Sequence, residues 1–381
     1  MQNKVVLHIS HTDINVDSRI LKEMKVAYDA GATVYGIGIS ERKQNTSPSH
    51  GSEEFSIESI VLSSRKMTFL PAVVRHIFSL IEFYIKTLVR AGKIKPDLIH
   101  CNDILALPIG VLIKLIKGSK LVYDAHELES NKNGQSRFEG GLVLFIEKRL
   151  WRFVDALLVV SPSIDTWYQQ NIGKKQTLVV LNSPLIEKHS RVDSSYLRHK
   201  FGIAEDKKIF IYVGMVMSGR GIELIVDAFK KGNTNAALVV LGNGEMLDAL
   251  KRKSVSAQNI FFHERVPHEQ VVEVAKSADF GLCLIENISL SDFYSLPNKL
   301  FEYIFAEVPV LASNFPDISF LVNKHNLGLC VELDAESISQ AMTKICDDEL
   351  KFSINTKSLE AYGWDAQANK LKALYARVLE N

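Results

Sequence analysis

Short apolar, β-rich runs alternate with amphipathic helical patterns along this chain, and they do so in two series. The first series is Val5–Ile9, Thr33–Ile39, Leu98–Cys101, Lys120–Tyr123, Leu157–Val160 and Leu178–Leu181. The second is Lys208–Val213, Ala237–Leu241, Asn259–Phe262, Phe280–Ile285, Val308–Leu311 and Gly328–Val331. Runs without polar alternation suit strands buried on both faces, which is the condition of a parallel sheet covered by helices. Two such series predict an α/β protein of two Rossmann-like domains. The length of 381 residues agrees, because domains run to roughly 100–200 residues each. The polar stretch Glu187–Ser195, after Asn182-Ser183-Pro184, is the expected linker. The expected domains are 1–188 and 196–362, followed by a terminal helix over 363–381.

Charge adds an asymmetry. The net charge is +1, which gives no reason to expect nucleic acid as a partner. Residues 1–190 carry 24 Lys+Arg against 19 Asp+Glu, a net of +5, and the remainder carries 21 against 25, a net of −4. The first half is the one expected to meet an anionic surface. Cys101, Cys283, Cys330 and Cys346 form no Cys-x-x-Cys, which argues for a reducing compartment and against structural zinc. The N-terminal residues read as a first strand rather than a leader, and no apolar run is long enough for a membrane span. These features predict a cytoplasmic location.

Chemistry is suggested first by Leu296-Pro297-Asn298-Lys299 opening a helix that carries Glu302 one turn in. Free N–H groups at a helix start bind anions, and Lys299 adds positive charge. Glu302 is spaced to accept from a ribose diol. Together they suit a nucleoside diphosphate, although a capped amphipathic helix in any α/β protein reads alike. Gly214 to Gly221, with Arg220, forms a second candidate phosphate loop between strand and helix. Its spacing matches neither a dinucleotide fingerprint nor a P-loop. Gly242-Asn243-Gly244 is a further strand-to-helix turn. In the first half, Asp124-Ala125-His126-Glu127 follows a strand directly, as do His11, Asp13, Asp17 and Arg19. Open α/β sheets place their sites at such strand ends, and inert polar loops also occur there.

In order and spacing, these motifs resemble the retaining glycosyltransferases of family 4. The motifs that carry the resemblance are Asp17-Ser18-Arg19, Tyr123–Leu128, Val179–Pro184, Gly214–Gly221, Gly242–Gly244, Ala278-Asp279 and Leu296–Ser313. The resemblance implies the GT-B fold, with an acceptor-binding N-terminal domain and a nucleotide-sugar-binding C-terminal domain. It also implies that the final helix packs back on the N-terminal domain, burying the face of Leu371, Leu374, Tyr375 and Val378. Two positions depart from the family pattern. Tyr294 stands where a first Glu is usual, with Glu286 and Asp292 near but out of register. Met215 stands where the phosphate loop usually has Arg.

The implied donor residues are Gly214, Arg220, Gly244, Val266, Leu296, Pro297, Asn298, Lys299 and Glu302. Those on the acceptor side are His11, Asp17, Arg19, Asp103 and Glu127. His126, Arg220 and Lys299 are the expected catalytic groups. Cations and helix dipoles suit a departing diphosphate of the UDP or GDP type with no metal and no cofactor. The implied reaction is front-face transfer, with retention, to a glycan or lipid-linked hydroxyl in bacterial polysaccharide synthesis. A GT-B nucleotide-sugar epimerase and a non-catalytic sugar-nucleotide binder remain open.

Residues 64–96 hold seven Lys+Arg and one acid, Glu82. Val74, Ile77, Ile81, Tyr84, Ile85 and Leu88 form a helical apolar stripe widened by Phe78 and Phe83. Arg75, Ser79, Glu82, Lys86 and Arg90 line the other face. Such a helix lies in an anionic membrane interface or packs on its own sheet with a solvated basic face. The first reading predicts peripheral attachment to the inner face of the cell membrane.

Overall fold

A computed structural model describes residues 1–40, 54–185, 193–231 and 235–380. The expected linker Glu187–Ser195 therefore lies mostly outside the described residues. The chain divides into two units, Met1–Val180 with Gln367–Asn381, and Leu181–Ala366.

The first unit runs β1 (Val5–Ser10), α1 (Ser18–Asp29), β2 (Thr33–Ile39), β3 (Ser56–Ile60), α2 (Ala72–Gly92), β4 (Leu98–Asn102), α3 (Leu107–Lys117), β5 (Lys120–Ala125), α4 (Arg137–Leu150), β6 (Ala156–Val159), α5 (Pro162–Asn171) and β7 (Gln176–Val179). All pairings are parallel, in the order β3-β2-β1-β4-β5-β6-β7. The strand order reverses beside β1, so the connections after β1 and β4 diverge although the strands pair to their ends, and ligands bind beside such divergences in open sheets. Local chemistry fixes the helix starts. Asp17 caps α1 by accepting from Arg19 and Ile20 N–H, and Ser136 with Glu139 forms a capping box on α4.

The second unit runs α6 (Tyr196–Phe201), β8 (Lys208–Met215), α7 (Ile222–Lys231), β9 (Ala236–Asn243), α8 (Leu247–Lys253), β10 (Ile260–His263), α9 (His268–Ala275), β11 (Phe280–Cys283), α10 (Leu290–Phe293), α11 (Asn298–Phe305), β12 (Val310–Ser313), α12 (Pro316–Lys324), β13 (Gly328–Val331) and α13 (Ala335–Cys346). Its parallel sheet has the order β10-β9-β8-β11-β12-β13, with the reversal beside β8. Helix α14 (Trp364–Glu380) follows. From Gln367 it belongs to the first unit, where Leu371, Leu374, Tyr375 and Val378 are buried.

The structure differs from the sequence reading in several places, among them β7, which lies two residues before the expected Leu178–Leu181, and β11, which ends at Cys283 rather than Ile285. Strand β3 was not anticipated, because Ser-Ile-Glu-Ser-Ile is a half-exposed edge strand with few apolar residues. Strands β8 and β9 run two residues further than expected, with Gly214 opposite Gly242 and Met215 opposite Asn243. On α2 the inward edge is Ser79, Phe83, Thr87 and Ala91, so Ser79 and Phe83 share one face. Ser79 is satisfied there by the Ser64 hydroxyl, 2.9 Å away.

Candidate functional site

In the second unit the expected donor residues converge on the ends of β8 and β11. Pro297 is the N-cap of α11 and its N–H-free backbone leads into exposed Asn298 and buried Lys299. Lys299 Nζ lies 4.0 Å above the Tyr212 ring, and among the described residues it has no hydrogen-bond partner. Burial pushes its pKa down to about 8, because an ammonium loses hydration that a ring face replaces only in part. Its stem runs beneath Gly214, whose absent side chain would stand 3.9 Å from Lys299 Cε.

Arg220 sits in the loop that follows β8. Gly221 shapes that loop with φ +67°, and a Cβ there would stand 2.6 Å from the Leu284 carbonyl oxygen. The two acids left out of register in the sequence hold this loop. Gly221 N–H donates to Glu286 Oε1 at 3.2 Å, and Arg220 Nη1 lies 3.9 Å from Asp292 Oδ1. Glu302 is buried on α11, one turn from the helix start. Gly244 packs its backbone on the loop that follows β8, since a Cβ would meet the Val216 carbonyl oxygen at 2.2 Å. Leu296 and Val266 are half-buried in the loops before α11 and after β10, and Met215 is exposed.

In the first unit a buried ion cluster lies under the ends of β1, β4 and β5. Arg19 donates through Nε (3.2 Å) and Nη2 (3.0 Å) to Asp124, and through Nη1 to the Val180 carbonyl at 3.0 Å. Its donors are thus committed within the protein, and it orders the site from beneath. Arg19 Nε also lies 3.0 Å from Glu23 Oε1. Burial and the Asp124 charge hold the Glu23 pKa well above the carboxylate range. Burial raises the Asp124 pKa too, but Arg19 and His126 outweigh it and keep that group ionised.

His126 Nε2 donates to Asp124 Oδ2 at 3.1 Å, and Nδ1 lies 3.6 Å from Asp103 Oδ1. Burial alone lowers the His126 pKa, yet Asp103 and Asp124 raise it to about 10. This favours the imidazolium at neutral pH, in which both ring nitrogens carry a proton. Behind it, His100 contacts Glu23 and Asp124 at 3.5 Å and Tyr375 at 2.6 Å, and stacks on His8.

Two sets of donor atoms here, His8–Glu23–His100 and Glu23–Asp124–His126, each fall within 4.8 Å. No ligand spacing in the sequence announced them. The His8 and His100 rings stack at 4.4 Å with only 23° between their planes, so a cation in the plane of one ring lies off the plane of the other. Arg19 already neutralises the acids. The geometry suits a hydrogen-bonded ion cluster better than a metal centre.

The remaining acceptor-side residues lie apart from this cluster. Asp17 serves as the α1 cap. His11 packs edge-on to Phe83 at 5.0 Å, and burial lowers its pKa to about 4. Glu127 is exposed, with Lys132 3.9 Å away, whereas Glu129, which the sequence did not single out, is buried and pairs with Lys132 at 2.8 Å. Glu23, His8, His100 and Tyr375 were also not anticipated. One signal for Glu23 was available, its place four residues after Arg19 on an amphipathic helix.

Two family profiles match the chain, glycosyl transferases group 1 over residues 193–363 and glycosyltransferase family 4 over 45–183. The O-antigen biosynthesis glycosyltransferase WbnH of Escherichia coli is 25% identical over 237 residues, 62% of this chain and 63% of that protein. The putative teichuronic acid biosynthesis glycosyltransferase TuaC of Bacillus subtilis is 22% identical over 253 residues, 65% of this chain and 61% of that protein. The matched stretch thus spans a little under two thirds of the length of these curated relatives. A sucrose-phosphate synthase from Thermosynechococcus elongatus superposes with TM-score 0.81 at 17% identity, over 99% of this chain and 100% of that one. Anabaena HepE in complex with UDP-glucose superposes with TM-score 0.73 at 16% identity, over 98% and 99%. Two Rossmann-like parallel sheets with such neighbours define the GT-B class. Within that fold, the first unit matches the glycosyltransferase family 4 profile and the second matches the group 1 profile.

Proposed function

We propose that the protein is a retaining, metal-independent glycosyltransferase. It moves a sugar from a UDP- or GDP-type donor to a hydroxyl of a glycan or lipid-linked acceptor in cell-surface polysaccharide synthesis. The observation that carries this reading is the buried, unpartnered Lys299 ammonium at the start of α11, beside Gly214 and Arg220. A diphosphate supplies the anion that this cation lacks, and Glu302 one turn on takes the ribose hydroxyls. That WbnH and TuaC are named for surface-polysaccharide synthesis, and that HepE was solved with UDP-glucose, supports the substrate class.

In the reaction the acceptor oxygen bonds to the anomeric carbon on the face that the diphosphate leaves. The bond from that carbon to the phosphate oxygen breaks, and the acceptor proton passes to the departing diphosphate. Arg220, Lys299 and the N–H groups of α11 stabilise the growing negative charge. The His126 imidazolium donates to a hydroxyl of the transferred sugar.

A thermal-shift screen of nucleotides and nucleotide-sugars tests the donor, since a ligand of the native state raises its melting temperature. NMR of the product's anomeric centre tests retention, and turnover in EDTA tests metal independence. Binding without glycoside or nucleoside diphosphate release would leave only a sugar-nucleotide binder. An epimerised donor would make the protein an epimerase.

We further infer that the first unit docks on an anionic lipid surface. The outward face of α2 is apolar, with Val73 71%, Ile77 54%, Ile85 59% and Val89 64% exposed. Leu112, Leu115 and Ile116 on α3 and Phe138, Leu142 and Phe145 on α4 are exposed as well, and the three helices adjoin in sequence along the sheet. A patch this apolar is unusual on a free surface. Seven Lys+Arg against one acid over residues 64–96 supply attraction to anionic headgroups. Full-length protein should float with anionic liposomes at low salt and detach as salt rises. Ile77→Glu with Ile85→Glu should abolish flotation, and a protein that stays in solution with anionic liposomes would overturn the inference.

A further inference from the structure

We propose that Tyr375 on α14 is a positioning residue for His126, acting through His100 and Asp124. This rests on the reading of His126 as a donor to the transferred sugar, and extends it to a residue that none of the site motifs contains. The four groups form a line in which Tyr375, His100 and Asp124 are buried, His126 is half-buried, and the His100–Asp124 step is a charge contact without a formed hydrogen bond. The Tyr375 hydroxyl stands 2.6 Å from His100 Nδ1. His100 Nε2 stands 3.5 Å from Asp124 Oδ2. Asp124 Oδ2 accepts from His126 Nε2 at 3.1 Å. Tyr375, His100 and Asp124 are wholly buried, so water supplies none of these bonds.

The tautomer of His100 decides how the line works. Its Nε2 faces the ionised Asp124 and the Glu23 carboxyl, so Nε2 carries the proton. Nδ1 is then a lone-pair acceptor, and the Tyr375 hydroxyl donates to it. Without that hydroxyl, only the 3.5 Å contacts to Asp124 and Glu23 hold the proton on Nε2, and the buried Nδ1 loses its donor. The alternative tautomer turns a lone pair toward Asp124 and repels the carboxylate that orients His126. Burial keeps His100 neutral, so it cannot carry protons on both nitrogens to escape the choice.

The groups that face His126 are Asp124 on β5, Asp103 after β4, Arg19 and Glu23 on α1, and His100 on β4. Asp103 and Asp124 favour its charged form, while burial and Arg19 oppose it. Burial and Asp124 hold the Glu23 pKa up, which weakens its pull on the His126 charge. Tyr375 reaches Asp124 through His100, which it touches directly. Weakening the Asp124–His126 contact lets the His126 proton leave at lower pH.

The test is an NMR titration of histidine-labelled, full-length protein. In the wild type, His126 should titrate near the top of the accessible range and His100 should show the Nε2–H nitrogen signature. In Tyr375→Phe, His100 should populate the other tautomer and the His126 midpoint should fall by about one unit or more. His100→Gln, whose amide can accept from Tyr375 and donate to Asp124, should retain the high midpoint. A Tyr375→Phe protein with the wild-type His126 midpoint, whether or not its melting temperature drops, would reduce Tyr375 to a packing role and overturn the proposal. Should Tyr375→Phe not fold, His100→Gln against His100→Leu decides in the same way. Turnover separates this from the functional reading. If His126→Ala leaves transfer at wild-type rate while the titration behaves as stated, the sugar-donor role fails and the positioning line stands.

Discussion

Single buried charges set how this protein responds to pH. Glu147 accepts from the Tyr123 hydroxyl at 2.9 Å and the Tyr168 hydroxyl at 2.6 Å, while its Oε2 has no partner. Burial outweighs both bonds and holds its pKa up at about 7. A raised folded-state value means that the stability it contributes is complete below the ordinary carboxylate range and is lost as pH rises through about 7. Glu147→Gln should therefore raise the urea midpoint at pH 8.5, by up to about 3 kcal/mol in stability, with the advantage vanishing near pH 4. An equal effect at both pH values would mean that Glu147 is not charged on the alkaline side. Lys299 gives the opposite sign on binding. Its free pKa is near 8, and a diphosphate must raise it. Nucleotide binding at pH 8 should take up a proton, and affinity should fall as pH climbs past 8. Calorimetry in buffers of differing ionisation enthalpy reads that proton directly, and no uptake would remove Lys299 from the phosphates.

At the level of elements, the close approach of the β8 and β9 ends builds the candidate donor site. Gly244 permits that approach, so Gly244→Ala must push the Val216 backbone away. A loss of about 2 kcal/mol in stability is expected, with weaker UDP binding in thermal shift. Unchanged binding would mean that the loop is not a phosphate contact. Most elements were legible in the sequence, because fully buried strands announce themselves as unbroken apolar runs and helices as stripes. Edge strand β3 escaped, since only Ile57 and Ile60 of its five residues are apolar. The apolar stripe of α2 faces outward, as the membrane-facing reading of that helix has it, whereas the burial of Ser79 and Thr87 escaped, because periodicity identifies a stripe but not which stripe the sheet takes. Arg220, Lys299 and Glu302 were readable as a local spacing around a helix start. Glu23, His8, His100 and Tyr375 were not. His8 faces His100 through strand register, and Tyr375 reaches His100 across 275 residues of sequence.

On the scale of the whole molecule, the first unit is discontinuous and the second is a single stretch. Leu371, Leu374, Tyr375 and Val378 fill the first unit's core from α14. Each such side chain is worth about 1.5–3 kcal/mol on burial, and a domain's net stability is only about 5–15 kcal/mol. Removing residues 367–381 should thus unfold the first unit while β8 to β12 keep their hydrogen-exchange protection. Protection retained in β1 and β4 after that truncation would show that α14 is an accessory.

The same discontinuity sets an order of events during synthesis. The second unit is complete once Ala366 has been made, whereas the first waits for Tyr375 although its sheet was translated earlier. At roughly 5–20 residues per second that interval lasts on the order of 10–40 s. Through it, His100 and the apolar bed of α14 lie open in a chain whose α2 already exposes an apolar face. Nascent chains stalled within that window should be the aggregation-prone species, and the ones that most need a chaperone or a membrane surface to hold them.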